Sequence, residues 1–325
     1  MRPRAYLSTP RCLSATSAVR FSSALVDPFA AWMASPLSSE EIPRIVVHIL
    51  FLGELTSFSR PEKTGLDGRL ITFPNAVEIA LGDLSDPVSV AEAIKGVDKL
   101  FLLIGREGVP VELTHAVTAY GLAKKAGLKH VTFVSVFSAD QFLEVPHFAN
   151  KHAVEEVIRA GGMSYTILRP AYFAQNERSF RNELTGFGVY PVPAGNQGLA
   201  VVDLRDLAEA AAISLTEEGH SGKTYDLVSS EMLRGPDAAA IWSKLLGKEI
   251  AYAGHADFDG FEAQLREKGS PNWLAYDLRV MFQGFVENGF SNTEDQAARF
   301  AALIGRQPRT YSSFAEELAT EWAAA

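Results

Sequence analysis

The sequence contains a single cysteine, Cys12, among its 325 residues. One thiol excludes an internal disulfide and a metal site built from several thiolates. So little cysteine is typical of a reducing intracellular compartment, and we expect a cytoplasmic protein.

The chain also lacks an excess of basic residues and a long apolar run. Its formal net charge is −9, so neither nucleic acid nor an anionic membrane surface is expected as a partner, because both attract basic patches. The longest apolar stretch near the start, residues 45–53, is interrupted by His48. It is much shorter than the roughly 20 residues of a membrane-spanning helix, so no membrane segment is predicted.

No acidic residue precedes Asp27, whereas the first 26 residues are rich in serine and include Arg2, Arg4, Arg11 and Arg20. An arginine-rich, serine-rich and acid-poor segment is typical of an organellar transit peptide, which makes the mitochondrion the alternative location. The other interpretation is an unstructured extension or sequence misplaced at the start of the chain. We favour the latter and treat residues 1–44 as an atypical extension before a domain at 45–325.

From about residue 54, short apolar runs alternate with longer amphipathic ones, a pattern that predicts an α/β fold with a parallel sheet. The predicted strands are residues 55–59, 77–81, 100–104, 131–136 and 165–168. They are apolar throughout, which indicates a sheet with helices on both faces. The helices predicted between them are residues 88–94, 111–126 and 147–159.

From about residue 171 the pattern predicts a smaller, mostly helical C-terminal lobe. Its predicted elements are a helix at 204–215, a strand at 224–228, and helices at 238–246, 258–268, 273–286, 293–304 and from 313 onward. Ligands of open α/β sheets bind at the carboxyl edge of the strands, so we expect this lobe to cover that edge and supply the substrate pocket.

Four segments of the chain carry a family resemblance. They are Gly82-Asp83-Leu84 with Asp86-Pro87; Gly96-Val97-Asp98 with residues 100–103; residues 146–151 with 165–170 and Asn176; and residues 202–206 with 222–225. In this order and spacing they resemble the NmrA-like family of atypical short-chain dehydrogenases/reductases, over most of residues 45–320. The resemblance implies a Rossmann-like NAD(P)-binding domain and a small-molecule substrate.

The resemblance also implies roles for particular residues. Asp83 and Leu84 are expected to line the adenine pocket, although Asp83 is equally well interpreted as a turn or helix-capping residue. Further cofactor contacts are expected from a set that follows the later strands: Ile104, Gly105, Ser135, Pro170, Tyr172 and Phe173. Aromatic core packing explains Tyr172 and Phe173 equally well.

Basic residues follow the strand predicted at 55–59. An acid at this point of a dinucleotide fold selects NAD, whereas an arginine accommodates the 2′-phosphate of NADP. Ser59, Arg60 and Lys63 therefore favour NADP(H), and Glu62 is the competing acid. The alternative is a solvated basic turn.

Lys151 is the foremost candidate for the catalytic site, because the resemblance places it against the nicotinamide ribose. The classical tyrosine four residues earlier is replaced by His147. Residues four apart share a helix face, so both side chains can reach one pocket, and a histidine can transfer protons near neutral pH. The alternatives are an ion pair of Lys151 with Glu155 and a merely structural His147.

The family's glycine-rich pyrophosphate turn is missing. Residues 46–53 resemble the last turns of the family's first helix, which would place the turn within about residues 25–45. That segment has three prolines and no glycine, so a phosphate-cradling loop cannot be drawn from it. Weakened cofactor binding is expected.

Two classes of function remain. One is an NAD(P)H-dependent oxidoreductase that reduces a quinone or a similar small electrophile, which the complete downstream elements favour. The other is a non-catalytic NAD(P)-sensing regulator or an inactive remnant, which the missing turn and the lost tyrosine favour.

Overall fold

The computed structural model describes residues 45–49, 63–64, 70–71, 83–104, 109–254 and 257–324, with side chains at 83–104, 111–254 and 257–324. The strands in this part of the chain are β1 (Ile45–Ile49), β2 (Lys63–Thr64), β3 (Leu70–Ile71), β4 (Lys99–Leu103), β5 (His130–Val134), β6 (Ser164–Pro170), β7 (Tyr172–Phe173), β8 (Val189–Tyr190), β9 (Leu199–Val202), β10 (Lys223–Leu227), β11 (Met232–Leu233) and β12 (Ala251–Tyr252).

Besides a 3-10 helix at Ala174–Phe180 and a π-helix at Glu183–Phe187, the described ranges contain nine α-helices. They are α1 (Pro87–Ala93), α2 (Val109–Lys125), α3 (Pro146–Ala160), α4 (Leu204–Thr216), α5 (Gly235–Leu246), α6 (Phe258–Glu267), α7 (Asn272–Asn288), α8 (Glu294–Ile304) and α9 (Tyr311–Ala324). Each lies where the periodicity predicts a helix, with ends displaced by up to three residues. None of these nine helices is long and apolar enough to cross a bilayer.

The central sheet is parallel, with strand order β1-β4-β5-β6-β10. Alternate residues of β4 enter different cores: Leu100 and Leu102 pack beneath α2 and α3, whereas Phe101 faces the core that contains α4. On β5, Thr132 bonds to Ser214 of α4 at 3.0 Å. Helices therefore cover both faces, which confirms the Rossmann-like α/β fold.

The interpretation of residues 46–53 as the end of a helix is wrong for the part that the structure describes. Ile45–Ile49 is strand β1, paired in parallel with Lys99–Leu103. The run Ile45-Val46-Val47 is rich in β-branched side chains, which fit a sheet better than a helix. Residues 50–53 and the strands predicted at 55–59 and 77–81 lie outside the described residues.

The C-terminal lobe contains more strand than the sequence predicts. β7, β9 and β11 form one small sheet, and β8 pairs with β12. Most of these strands have only two residues, too few to show a periodicity. The lobe is also not continuous along the chain, because β10 returns to the central sheet beside β6. A boundary near residue 171 stays a prediction.

One of the buried carboxyl groups of the lobe is that of Glu177. Glu177 is fully buried, and the Tyr190 hydroxyl donates to its Oε1 at 3.1 Å. Burial raises the pKa of Glu177 from 4.5 to about 8, against the opposing effect of the tyrosine hydrogen bonds. Glu177 is therefore neutral in the folded protein at neutral pH.

We expect the free energy of unfolding to fall as the pH rises from 4.5 to about 8, because the folded chain keeps a proton that unfolded Glu177 releases. Glu177→Gln removes this titration, so the variant should show a shallower fall, measured by urea denaturation across that pH range. Glu267→Gln, at an exposed position, is the control. Equal pH slopes for Glu177→Gln and the parent protein would contradict the prediction.

Candidate active site

Lys151 lies at the carboxyl edge of the central sheet. Helix α3 begins at Pro146, a residue suited to a first helical turn, and Lys151 follows in its second turn. Its Nζ donates to the carbonyl oxygen of Ile104 at 3.3 Å and lies 5.6 Å from the centre of the Phe133 ring. Ile104 directly follows β4, so the structure brings together two predicted site residues at the edge where Rossmann ligands bind.

His147 lies one helical turn before Lys151 and contacts the lobe. Its Nδ1 is 2.5 Å from Oδ2 of Asp277 on α7, and its backbone N–H donates to Oδ1 of the same carboxylate at 2.9 Å. The side chain of His147 is 18% exposed, whereas that of Asp277 is 1% exposed. Because Nδ1 is engaged, Nε2 is the ring nitrogen available for a ligand.

Asp277 is the functional candidate that sequence reasoning missed. The first backbone N–H groups of a helix have no partner within the helix, and Asp277 supplies an acceptor for one of them from a different element. A signal was present in the sequence: Asp277 interrupts the apolar stripe formed by Leu274, Met281 and Phe285. An acid on a buried helix face requires a buried partner, but the sequence does not say which one.

The α7 face that reaches His147 is apolar on both sides of Asp277. Trp273 and Leu274 precede it by one turn and Met281 follows by one turn; all three are partly exposed. Side chains three and four residues apart share a helix face. Trp273, Leu274 and Met281 therefore share the face of α7 from which Asp277 reaches His147.

Ser135 engages a buried ionic network. Its hydroxyl donates to Oε1 of Glu155, which is fully buried. Arg169 donates to both oxygens of the same carboxylate at 2.9 and 2.7 Å, and Arg159 lies 3.0 Å from it. Glu155 therefore pairs with these arginines, and the expected cofactor contact of Ser135 stays a prediction.

Asp83 and Leu84 lie in the turn before α1. The Asp83 carboxylate accepts from the backbone and hydroxyl of Ser85 at 2.8 and 2.7 Å, so its turn role is observed directly. Leu84 is 2% exposed and packs in the core beneath α2 and α3. A contact of either residue with adenine stays a prediction.

Pro170, Tyr172 and Phe173 lie where β6 leaves the sheet. Pro170 is buried, and its carbonyl accepts from Phe137 N at 2.9 Å. Tyr172 and Phe173 form β7, pair with β9 and are partly exposed beside the larger core. Burial, with a further effect of nearby Glu177, raises the pKa of Tyr172 well above its usual value. This hydroxyl therefore stays protonated at neutral pH.

Several predicted residues lie beyond this description. Ser59, Arg60 and Gly105 are outside the described residues, and only the strand backbone is described at Lys63. In the part of the chain whose side chains are described, no group of histidine, aspartate and glutamate is arranged to hold a metal ion.

A separate cavity of about 450 Å³ opens in the lobe, lined by Gly195, Asn196, Gln197, Tyr252, Ala253, Gly254 and Val286. Val286 is nine residues beyond Asp277 on α7, or about 13 Å along a helix that rises 1.5 Å per residue. This cavity is therefore remote from His147, and we do not assign it to the same site.

The model of the NmrA-like family matches residues 73–315. The chain belongs to the NmrA-like family. The matched region begins just after β3 and includes the whole of α3 and α7.

Several proteins similar to this chain are reductases. The NAD(P)H azoreductase of Xenophilus azovorans is 25% identical over 251 residues, which cover 77% of this chain and 85% of the relative. Quinone oxidoreductase 2 of Escherichia coli (strain K12) is 28% identical over 243 residues, covering 74% and 82%. The structure of Citrobacter sp. triphenylmethane reductase complexed with NADP(H) has a TM-score of 0.66 at 28% identity, covering 75% of this chain and 84% of that chain.

We expect Glu155→Gln to lower the free energy of unfolding by about 3 kcal/mol, because it leaves buried arginine charge without its main partner. Glu156→Gln is the matched control: its side chain is 59% exposed and pairs with Arg159, an arrangement that contributes about 0.2–1 kcal/mol. Urea denaturation of both variants measures the difference. Equal losses would show that the Glu155 network does not hold this region together.

Proposed function

We propose that this chain is an NAD(P)H-dependent oxidoreductase that reduces a small conjugated acceptor such as a quinone, with NADPH as the favoured cofactor. The observation that carries the proposal is the position of Lys151, whose amine reaches the carboxyl edge of the sheet at Ile104. The NAD(P)H dependence of the relatives supports it. In this proposal the lobe that begins near residue 171 forms the substrate side of the pocket.

The nicotinamide end of a dinucleotide fits the residues at this edge. A lysine ammonium has three donors, and one of those of Lys151 is directed at the Ile104 carbonyl at 3.3 Å. The remaining donors can bind ribose hydroxyl groups, as the family resemblance implies. When bound, the cofactor supplies a hydride; Lys151 orients it, and the partly exposed surface of Trp273, Leu274 and Met281 favours a flat apolar acceptor.

A second candidate is a non-catalytic protein that senses NAD(P). The observation in its favour is the sequence after β1, because the family's glycine-rich turn follows its first strand: residues 50–62 contain a single glycine, Gly53. Backbone donors of a glycine-rich turn contribute charge-assisted hydrogen bonds to pyrophosphate. The loss of these hydrogen bonds predicts weak cofactor binding. A protein that senses an abundant nucleotide can function with weak binding.

The proposal predicts that NADPH raises the melting temperature of the protein, because a ligand that binds the folded state stabilises it. Lys151→Met should weaken NADPH binding by roughly ten- to a hundredfold, the equivalent of about 1.5–3 kcal/mol for hydrogen bonds to a charged group. Lys244→Met, at an exposed position on α5, is the control. Nicotinamide fluorescence and thermal melting measure both variants.

Two results would count against the enzyme. Absence of any thermal shift with millimolar NADPH or NADH would exclude a cofactor-dependent reaction. If NADPH binds but is not oxidised in the presence of quinones and azo compounds, the non-catalytic sensor is the candidate function that agrees with the data.

The basic residues after the strand predicted at 55–59 carry a further prediction. Arg60→Ala should weaken binding of NADPH more than binding of NADH, because only NADPH carries the 2′-phosphate. Arg299→Ala, at a position that is 67% exposed on α8, is the control, and the ratio of the two dissociation constants is the measurement. An unchanged ratio in Arg60→Ala would show that Arg60 belongs to a solvated turn.

A further inference from the structure

We propose that His147 and Asp277 form a proton-donating pair, and that the acceptor is a neutral quinone or azo compound, which must gain a proton together with the hydride. This inference rests on the proposed function and extends it to the substrate class. His147 is the proposed proton donor, and Asp277 is a positioning residue that acts through it.

The geometry of the pair supports this assignment. Asp277 is 1% exposed, and its two oxygens are held by the His147 backbone N–H at 2.9 Å and by the His147 Nδ1 at 2.5 Å. The backbone contact fixes the carboxylate, and the fixed carboxylate orients the ring. A buried carboxylate on Nδ1 keeps a proton on that nitrogen and stabilises the imidazolium.

The other ring nitrogen can transfer the proton. With Nδ1 bonded to Asp277, a proton can leave from Nε2 alone. The ring stacks edge-on against Phe148, with centroids 4.7 Å apart, which limits its rotation. The 18% exposure of the His147 side chain allows reprotonation by water after each turnover. Lys151, one turn further along α3, and Glu155, two turns further, are charged groups on the same helix face.

The balance of the reaction determines the substrate class. Hydride addition to a quinone moves an electron pair onto a carbonyl oxygen; the Nε2–H bond of His147 breaks, an O–H bond forms, and His147 becomes neutral. With an azo compound the hydride adds to one nitrogen and the proton to the other. A triphenylmethane dye is already a cation, so hydride addition to its central carbon completes the reduction and requires no proton. A proton donor such as His147 beside the nicotinamide site therefore favours quinones and azo compounds, which are neutral, over the cationic dye.

Asp277→Asn is the decisive variant. The amide oxygen of Asn can still accept from the His147 backbone N–H, but its NH2 group then faces Nδ1 as a donor, which opposes the imidazolium. His147→Gln removes the ring. Asp259→Asn, a carboxylate that is 93% exposed in the same lobe, is the matched control for the loss of one charge.

The measurement compares two acceptors in each variant, a neutral benzoquinone and a cationic triphenylmethane dye, at saturating NADPH. General acid catalysis contributes about a hundredfold or more, so the ratio of the quinone rate to the dye rate should fall at least about tenfold in Asp277→Asn and His147→Gln. The ratio should not fall in Asp259→Asn. NADPH affinity, measured by fluorescence, should change much less than the quinone rate.

A second readout does not depend on turnover. The proton shared by Nδ1 and Asp277 should give a downfield, slowly exchanging NMR signal in the parent protein. That signal should be lost in Asp277→Asn while the melting temperature stays close to that of the parent.

The outcomes separate the two claims. An equal fall of both rates, or a parent protein that reduces the dye but neither quinone nor azo compound, would overturn the proton-donor assignment and leave the oxidoreductase intact. Absence of NADPH binding and of turnover with every acceptor would overturn the proposed function and this inference with it.

Discussion

The candidate site depends on the buried carboxylate of Asp277 and its two hydrogen bonds. The N-terminus of α3 needs an external acceptor, and the lobe provides it through α7 rather than through a local capping residue, since Val145 makes no side-chain cap. The same carboxylate holds the His147 ring. The lobe and the Rossmann sheet are therefore joined at the helix that carries Lys151.

Helix α3 acts as the common support for three such contacts. His147, Lys151 and Glu155 follow one another at four-residue spacing and so lie along one helix face. They contact, in order, the lobe through Asp277, the exit of β4 through the Ile104 carbonyl, and the strand β6 through Arg169. One helix therefore positions all three side chains relative to the central sheet.

Prediction from the sequence succeeded where a long periodic signal exists. Helices α2 and α7, with 17 residues each, and strand β5, with five buried residues in succession, were all expected. It failed where the signal was short or ambiguous, as at the two-residue strand β7 and at Ile45–Ile49, where an apolar run of strand length was interpreted as helix. Asp277 and His147 are 130 positions apart, so the local spacing of residues does not predict that they are partners.

The sequence by itself determined the α/β class, the position of most helices, the NmrA-like resemblance and the placing of His147 and Lys151 on one helix face, because each of these depends on local pattern and motif order. Only the tertiary structure decided which groups pair with them. It assigned Asp277 to His147 and Arg169 to Glu155, and it returned β10 to the central sheet. These pairings depend on how buried polar groups find partners in the folded core, which a linear pattern of apolar and polar residues does not encode.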